Sequence, residues 1–108
     1  MLRIAEDVLA LITEVAPVVR EIGRSDGALE KQLRDALNSV VSNVAEGSDQ
    51  RGARRKNHYA YALGSARESQ VQIRAAVAWG HIAMPPHSVL DRLDKIIGTL
   101  TNVVRTRR

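Results

Sequence analysis

Apolar residues recur at intervals of three and four through four separate stretches of this chain, and strand-type alternation persists nowhere in it. That period lines up the apolar side chains of each stretch on one side of a helix, so the fold narrows to helices packed on helices. The first stretch covers about residues 2–22, with Ile4, Val8, Leu11, Ile12, Val15, Val19 and Ile22 in phase. The second, about 26–46, carries Leu29, Leu33, Ala36, Leu37, Val40 and Val44. The third, about 53–79, carries Tyr59, Ala62, Leu63, Ala66, Gln70, Ile73 and Val77. The fourth, about 87–104, carries Val89, Leu93, Ile96, Leu100 and Val103, widened by Leu90, Ile97 and Val104. Four amphipathic helices on short connections predict an all-α, up-down-up-down four-helix bundle. A length of 108 residues predicts one domain, spanning 1–108.

The punctuation agrees with these boundaries. Asp26 is placed to cap the second helix, with Glu30 in its first turn. Gly47 is expected to end that helix in a left-handed conformation, and Gly80 to end the third in the same way. Pro85-Pro86 marks the last connection, and Ser88 is a candidate cap for the fourth helix. Pro17 falls inside the first pattern and is expected to kink that helix or divide it near Ala16. The closing RTRR is expected to fray.

Aromatic residues are 3% of the chain and phenylalanine is absent, so the core must be aliphatic. A lone chain of this size buries only about 60–70% of the surface it exposes when unfolded. With so few large side chains, self-association is expected.

Cysteine is absent, which excludes disulfides, thiolate zinc sites and cysteine nucleophiles together and suits a reducing cytoplasm. The opening MLRIAEDVLALITEV carries Glu6, Asp7 and Glu14, which rules out a signal-peptide core, and no apolar run approaches the roughly 18 residues of a membrane span. The expectation is a cytoplasmic protein with no membrane partner. His58, His81 and His87 have no metal-ligand spacing, and there is no phosphate loop, nucleophile elbow or dinucleotide fingerprint. No enzyme activity and no cofactor are expected. Glu46 and Glu68 are the carboxylates best placed for chemistry, but a structural role is expected of each, pairing with arginine or accepting a backbone hydrogen bond; the alternative is a hydrolase or nuclease.

Charge is uneven. Residues 1–47 hold five basic and eight acidic side chains, residues 48–108 eleven basic and four acidic. Arg51, Arg54, Arg55 and Lys56 cluster where the third helix begins. Further along, Arg67 and Arg74 fall close to Lys56 on the helical wheel, giving a basic stripe about 27 Å long. These six are the candidate contacts to successive phosphates of RNA or DNA. His58 and Tyr59 could add base stacking, although Tyr59 suits the core. Cations at a helix N-terminus oppose its dipole, so the cluster is suggestive by itself and not diagnostic. On the side of the third helix away from Ala66 lie Ala60, Gly64, Val71, Ala75 and Ala78. Small residues there allow another backbone to approach, and a mid-helix glycine otherwise costs about 0.5–1 kcal/mol against alanine. A subunit contact is the favoured reading; exposed alanines serving helix propensity are the plain one.

Several of these residues also form a signature. Gln32-Leu33-Arg34, Ser39, the block Asn43-Val44-Ala45-Glu46-Gly47, the basic loop with Arg51 and Arg54, and the pair Gly64-Ser65 resemble the four-helix-bundle family of 23S ribosomal RNA intervening-sequence proteins. Glu68 and Gln72 also fall where that family carries such residues. The match is strongest over about residues 27–82. Val41, where proline is common, and Gln70, where an acid is common, depart from the pattern. The resemblance implies a homopentamer without known catalysis. It also implies kinship with accessory proteins of diversity-generating retroelements, which bind nucleic acid and a reverse transcriptase. The competing function is a protein–protein assembly module whose basic residues pair with acidic residues of neighbouring subunits. Asn43, at the edge of its apolar stripe, is expected to be half-buried and to bond a loop carbonyl at the exit of the second helix.

Overall fold

The computed structural model describes residues 2–105, and among these the chain is four helices with no strand. They are α1 (Leu2–Ser25), α2 (Gly27–Ser48), α3 (Gly52–Trp79) and α4 (His87–Arg105). Each helix packs against its neighbours in the chain, and α1 packs against α4, which is how an up-down-up-down bundle closes. The bundle is elongated, 43 × 24 × 20 Å. No helix among the described residues is long and apolar enough to cross a membrane. Of the RTRR tail, Arg105 belongs to α4, and residues 106–108 lie outside the described residues.

The aliphatic stripes meet in one core. Ile4, Val8, Leu11, Val15, Val19 and Ile22 come from α1, and Leu33, Leu37, Val40 and Val44 from α2. Val89, Leu93, Ile96 and Leu100 supply α4's share, while α3 contributes Tyr59, Ala62, Leu63, Ala66, Ile73 and Ala76. Ile82 closes the end of the core from the last connection.

Punctuation departs from expectation at Ser88 and Gly47, and the core departs from it at Gln70. α1 runs unbroken through Pro17, so no division occurs near Ala16. The proline is exposed, and the carbonyl it leaves without an amide lies one turn back on the same side, at exposed Thr13, within reach of water. Ser88 lies inside the first turn of α4 and is not its cap; Pro86 O accepts the amides of Val89 and Leu90 there. Gly47 does not cap α2. The helix continues to Ser48, and positive φ occurs among the described residues only at Gly52 and Gly80. Gly47 is needed for a different reason: a Cβ there would stand 2.7 Å from the ring of Tyr59. Gln70, expected in the core, is half-buried and bonds Asp94 of α4 at 2.8 Å, while Ser69 and Gln72 are the polar residues of α3 that are buried.

Gly80 does cap α3 in the left-handed conformation (φ 81°). Asp26 caps α2, its Oδ1 accepting the Leu29 amide at 2.9 Å. That bond, and to a lesser degree the His81 ring 3.2 Å from Oδ2, hold the Asp26 carboxyl below the usual carboxylate range. Asp26 thus joins the start of α2 to the residues following α3, and Gly47 near the end of α2 meets Tyr59 near the start of α3. The two helices are antiparallel.

Candidate nucleic-acid interface

The basic cluster sits where α2 hands the chain to α3. Residues 49–51 make the turn, and Arg51 occupies the N-cap position of α3 without a side-chain capping bond. Arg51, Arg54, Arg55, Arg67 and Arg74 are exposed and Lys56 is half-buried. None of the six has a carboxylate partner among the described residues. The ion pairs there are Lys31–Asp35, Arg34–Glu30, Arg92–Glu14 and His81–Asp26. Arg55 also serves the backbone, its Nε donating to the carbonyls of Gly47 at 3.3 Å and Gln50 at 3.1 Å. It therefore places a cation on carbonyls at and just beyond the C-terminal end of α2, where positive charge is favourable. Part of the dipole penalty expected at the start of α3 is thereby offset.

Behind the cluster runs a chain of polar contacts between α2 and α3. His58 Nδ1 lies 3.0 Å from Asn43 Oδ1. Asn43 Nδ2 donates to the Ser39 carbonyl at 2.9 Å and to Ser39 Oγ at 3.1 Å. Ser65 Oγ donates to Ser39 Oγ at 2.8 Å, and Ser69 Oγ donates back to the Ser65 carbonyl at 2.9 Å. Asn43 is half-buried as expected, but its amide serves its own helix and His58, not a loop carbonyl. Tyr59 is core, 1% exposed, with its hydroxyl 3.5 Å from Ser48 Oγ.

Beyond the serine pair a groove of about 270 Å³ opens, lined by Gln32, Asp35, Ala36, Ser39, Ser65 and Glu68. Glu68 Oε2 accepts from Gln72 Nε2 at 3.4 Å, and Gln72 Oε1 is buried without a partner. Among the described residues neither Glu68 nor Glu46 pairs with an arginine, the first of the two structural roles expected of them. Glu46 is exposed, and its main-chain carbonyl accepts the Asp49 amide at 3.1 Å. A larger groove, about 340 Å³, lies between α1 and α2, over an apolar floor that includes Ile12, Val15 and Leu37 and beside Arg20 and Arg34. It shares no residue with the basic cluster. No group of three or more potential metal ligands occurs among the described residues.

The small-residue side of α3 faces outward. Gly64, Val71 and Ala78 are exposed and Ala60 and Ala75 half-buried. A Cβ at Gly64 would meet nothing within 4 Å, so packing inside one chain does not require glycine there. Tyr61 and Trp79 add exposed aromatic surface at 63% and 74%. Sequence reasoning gave neither of them a role, nor did it find the contacts of Ser39 with Ser65 and of Asn43 with His58. The available signal was polar residues four apart, Ser39 with Asn43 and Ser65 with Ser69, flanking apolar stripes.

An all-α bundle of four helices, joined between α2 and α3 by this polar chain, defines the class. The chain belongs to the 23S rRNA-intervening sequence protein family, whose model matches residues 2–102. The same fold occurs in the crystal structure of a protein with unknown function from the S23 ribosomal protein family of Bacteroides thetaiotaomicron. That protein is 16% identical with a TM-score of 0.85, and the likeness covers 95% of this chain and 99% of the other. No curated protein matches the chain. The signature residues gather on α2 and α3: Leu33 in the core, Gln32 and Glu68 on the groove, Ser39, Asn43 and Ser65 in the polar chain, Gly47 against Tyr59.

Proposed function

We propose that this protein is a non-enzymatic, self-associating binder of polynucleotides that engages the phosphate backbone through Arg51, Arg54, Lys56, Arg67 and Arg74, with Arg55 bracing the loop beneath them. The observation that carries this reading is the absence of any carboxylate partner for these cations among the described residues, while four ion pairs form elsewhere. Unpaired guanidinium and ammonium groups along one helix suit a repeating anion, and such binding is governed by charge more than by base sequence. Self-association, with the homopentamer that the resemblance implies, is supported by the open space at Gly64 and by Val71, 59% exposed.

A gel shift with generic single-stranded and duplex RNA and DNA at low and moderate salt, beside a measurement of particle size, tests both parts. Binding that weakens steeply with salt, from a particle larger than one chain, is expected. No shift even at low salt would refute the binding; a single-chain particle would refute the assembly. Binding absent with the assembly present would favour a protein–protein module.

A further inference from the structure

The orientation of one amide decides the chemistry of a histidine. Asn43 Nδ2 is 2.9 Å from the Ser39 carbonyl oxygen. A carbonyl oxygen only accepts, so this end of the Asn43 side chain must be the NH2, and the end facing α3 is Oδ1. Oδ1 lies 3.0 Å from His58 Nδ1 and can likewise only accept. Nδ1 therefore carries a hydrogen in every protonation state that keeps this bond. The ring changes charge at its other nitrogen, Nε2, which has no hydrogen-bond partner among the described residues. Tyr61 holds the ring edge-on, with centroids 6.4 Å apart and planes at 85°.

His58 thus stands one helical turn after Arg54 with one nitrogen tied inward and the other uncommitted. From α2 the group that meets it is the neutral Asn43, and Glu46 lies a turn further along that helix. Its own helix brings Arg54, Arg55 and Tyr61. α4 carries Arg105 at its C-terminal end, and α1 is diagonal to α3. A phosphate seated beside the ring favours its charged form. Donating from Nε2 to a phosphate oxygen requires the imidazolium, because the neutral ring with Nδ1–H has only a lone pair there.

We propose that His58 is a further phosphodiester contact of the basic cluster, engaged through Nε2–H as the imidazolium, so that polynucleotide binding takes up a proton at this residue. The proposal rests on the binding function proposed above and deepens it. By linkage, a complex that holds one more proton than its free components tightens as pH falls, by up to about tenfold per pH unit.

The test is the affinity for a labelled single-stranded oligouridylate at fixed ionic strength from about pH 8 to about pH 5.5, the range over which a histidine changes charge. The wild type is expected to tighten by about tenfold or more across it. His58→Gln should flatten that profile, whereas His81→Gln and His87→Gln should keep it. In the unmutated protein, the NMR titration of the His58 ring should move to higher pH on adding the oligonucleotide. Binding with a flat wild-type profile, a full pH effect retained in His58→Gln, or a ring titration that does not move would overturn the proposal and leave the binding function standing. No binding at any pH would overturn both.

Discussion

Where α1 meets α4, aliphatic side chains from Ile4 to Leu100 fill the contact, and among the described residues the ion pair Arg92–Glu14 at 2.9 Å bridges the two helices. Where α2 meets α3 the chemistry changes: a glycine lies against a tyrosine ring, and serine, asparagine and histidine side chains link across by hydrogen bonds. Aliphatic contacts are non-directional and tolerate small slips, whereas hydrogen bonds between named atoms hold only in one register. All four helices bury apolar surface. Between α2 and α3 the hydrogen bonds add register, and they fix the loop and helix start that carry the arginines.

That contrast is most vulnerable at Gly47. Gly47→Ala drives a methyl to within 2.7 Å of a ring that is 1% exposed, and neither the ring nor the helix can move without losing core contacts. A loss of about 1–3 kcal/mol is expected, read from the midpoint of urea unfolding. A variant as stable as the wild type would mean that the α2–α3 approach is looser than described. The opposite, smaller effect is expected at Gly64. With open space around it, Gly64→Ala should raise the unfolding free energy of the single chain by about 0.5–1 kcal/mol through helix propensity. The same change should weaken self-association in a sedimentation experiment. Stabilisation with assembly untouched would place the subunit contact elsewhere.

The four helices and most of the core were legible in the sequence because burial of one face imposes a period, and that period survives without knowledge of the partner helix. α1 shows this best, with every fully buried residue in the expected phase. α3 shows the limit. Its small residues run around the helix, so the period alone admitted Gln70 to the core and left out Ser69, Gln72 and Ala76. Gly47 was correctly marked as special, but close approach to Tyr59 and a left-handed cap demand the same residue, and only the neighbour tells them apart. The candidate site divides in the same way. The charged residues were readable, since exposure is what arginine in a polar stretch predicts. The bond from Arg55 to the end of α2 was not, because it depends on the turn at residues 49–51. The tie from His58 through Asn43 to Ser39 was not readable either, because it joins side chains on two helices through one amide whose orientation a carbonyl decides.

If the cations at the start of α3 meet phosphates, each contact releases counterions from the polynucleotide. The dependence of log affinity on log salt reads out those contacts, for the wild type and for the combined variant Arg51→Gln, Arg54→Gln, Lys56→Gln, which spares the bracing Arg55. Each lost contact should flatten the slope by about 0.7–0.9, so the variant should lose about 2–3 in slope while remaining folded. A slope unchanged by all three substitutions would mean that these cations do not touch the phosphate backbone.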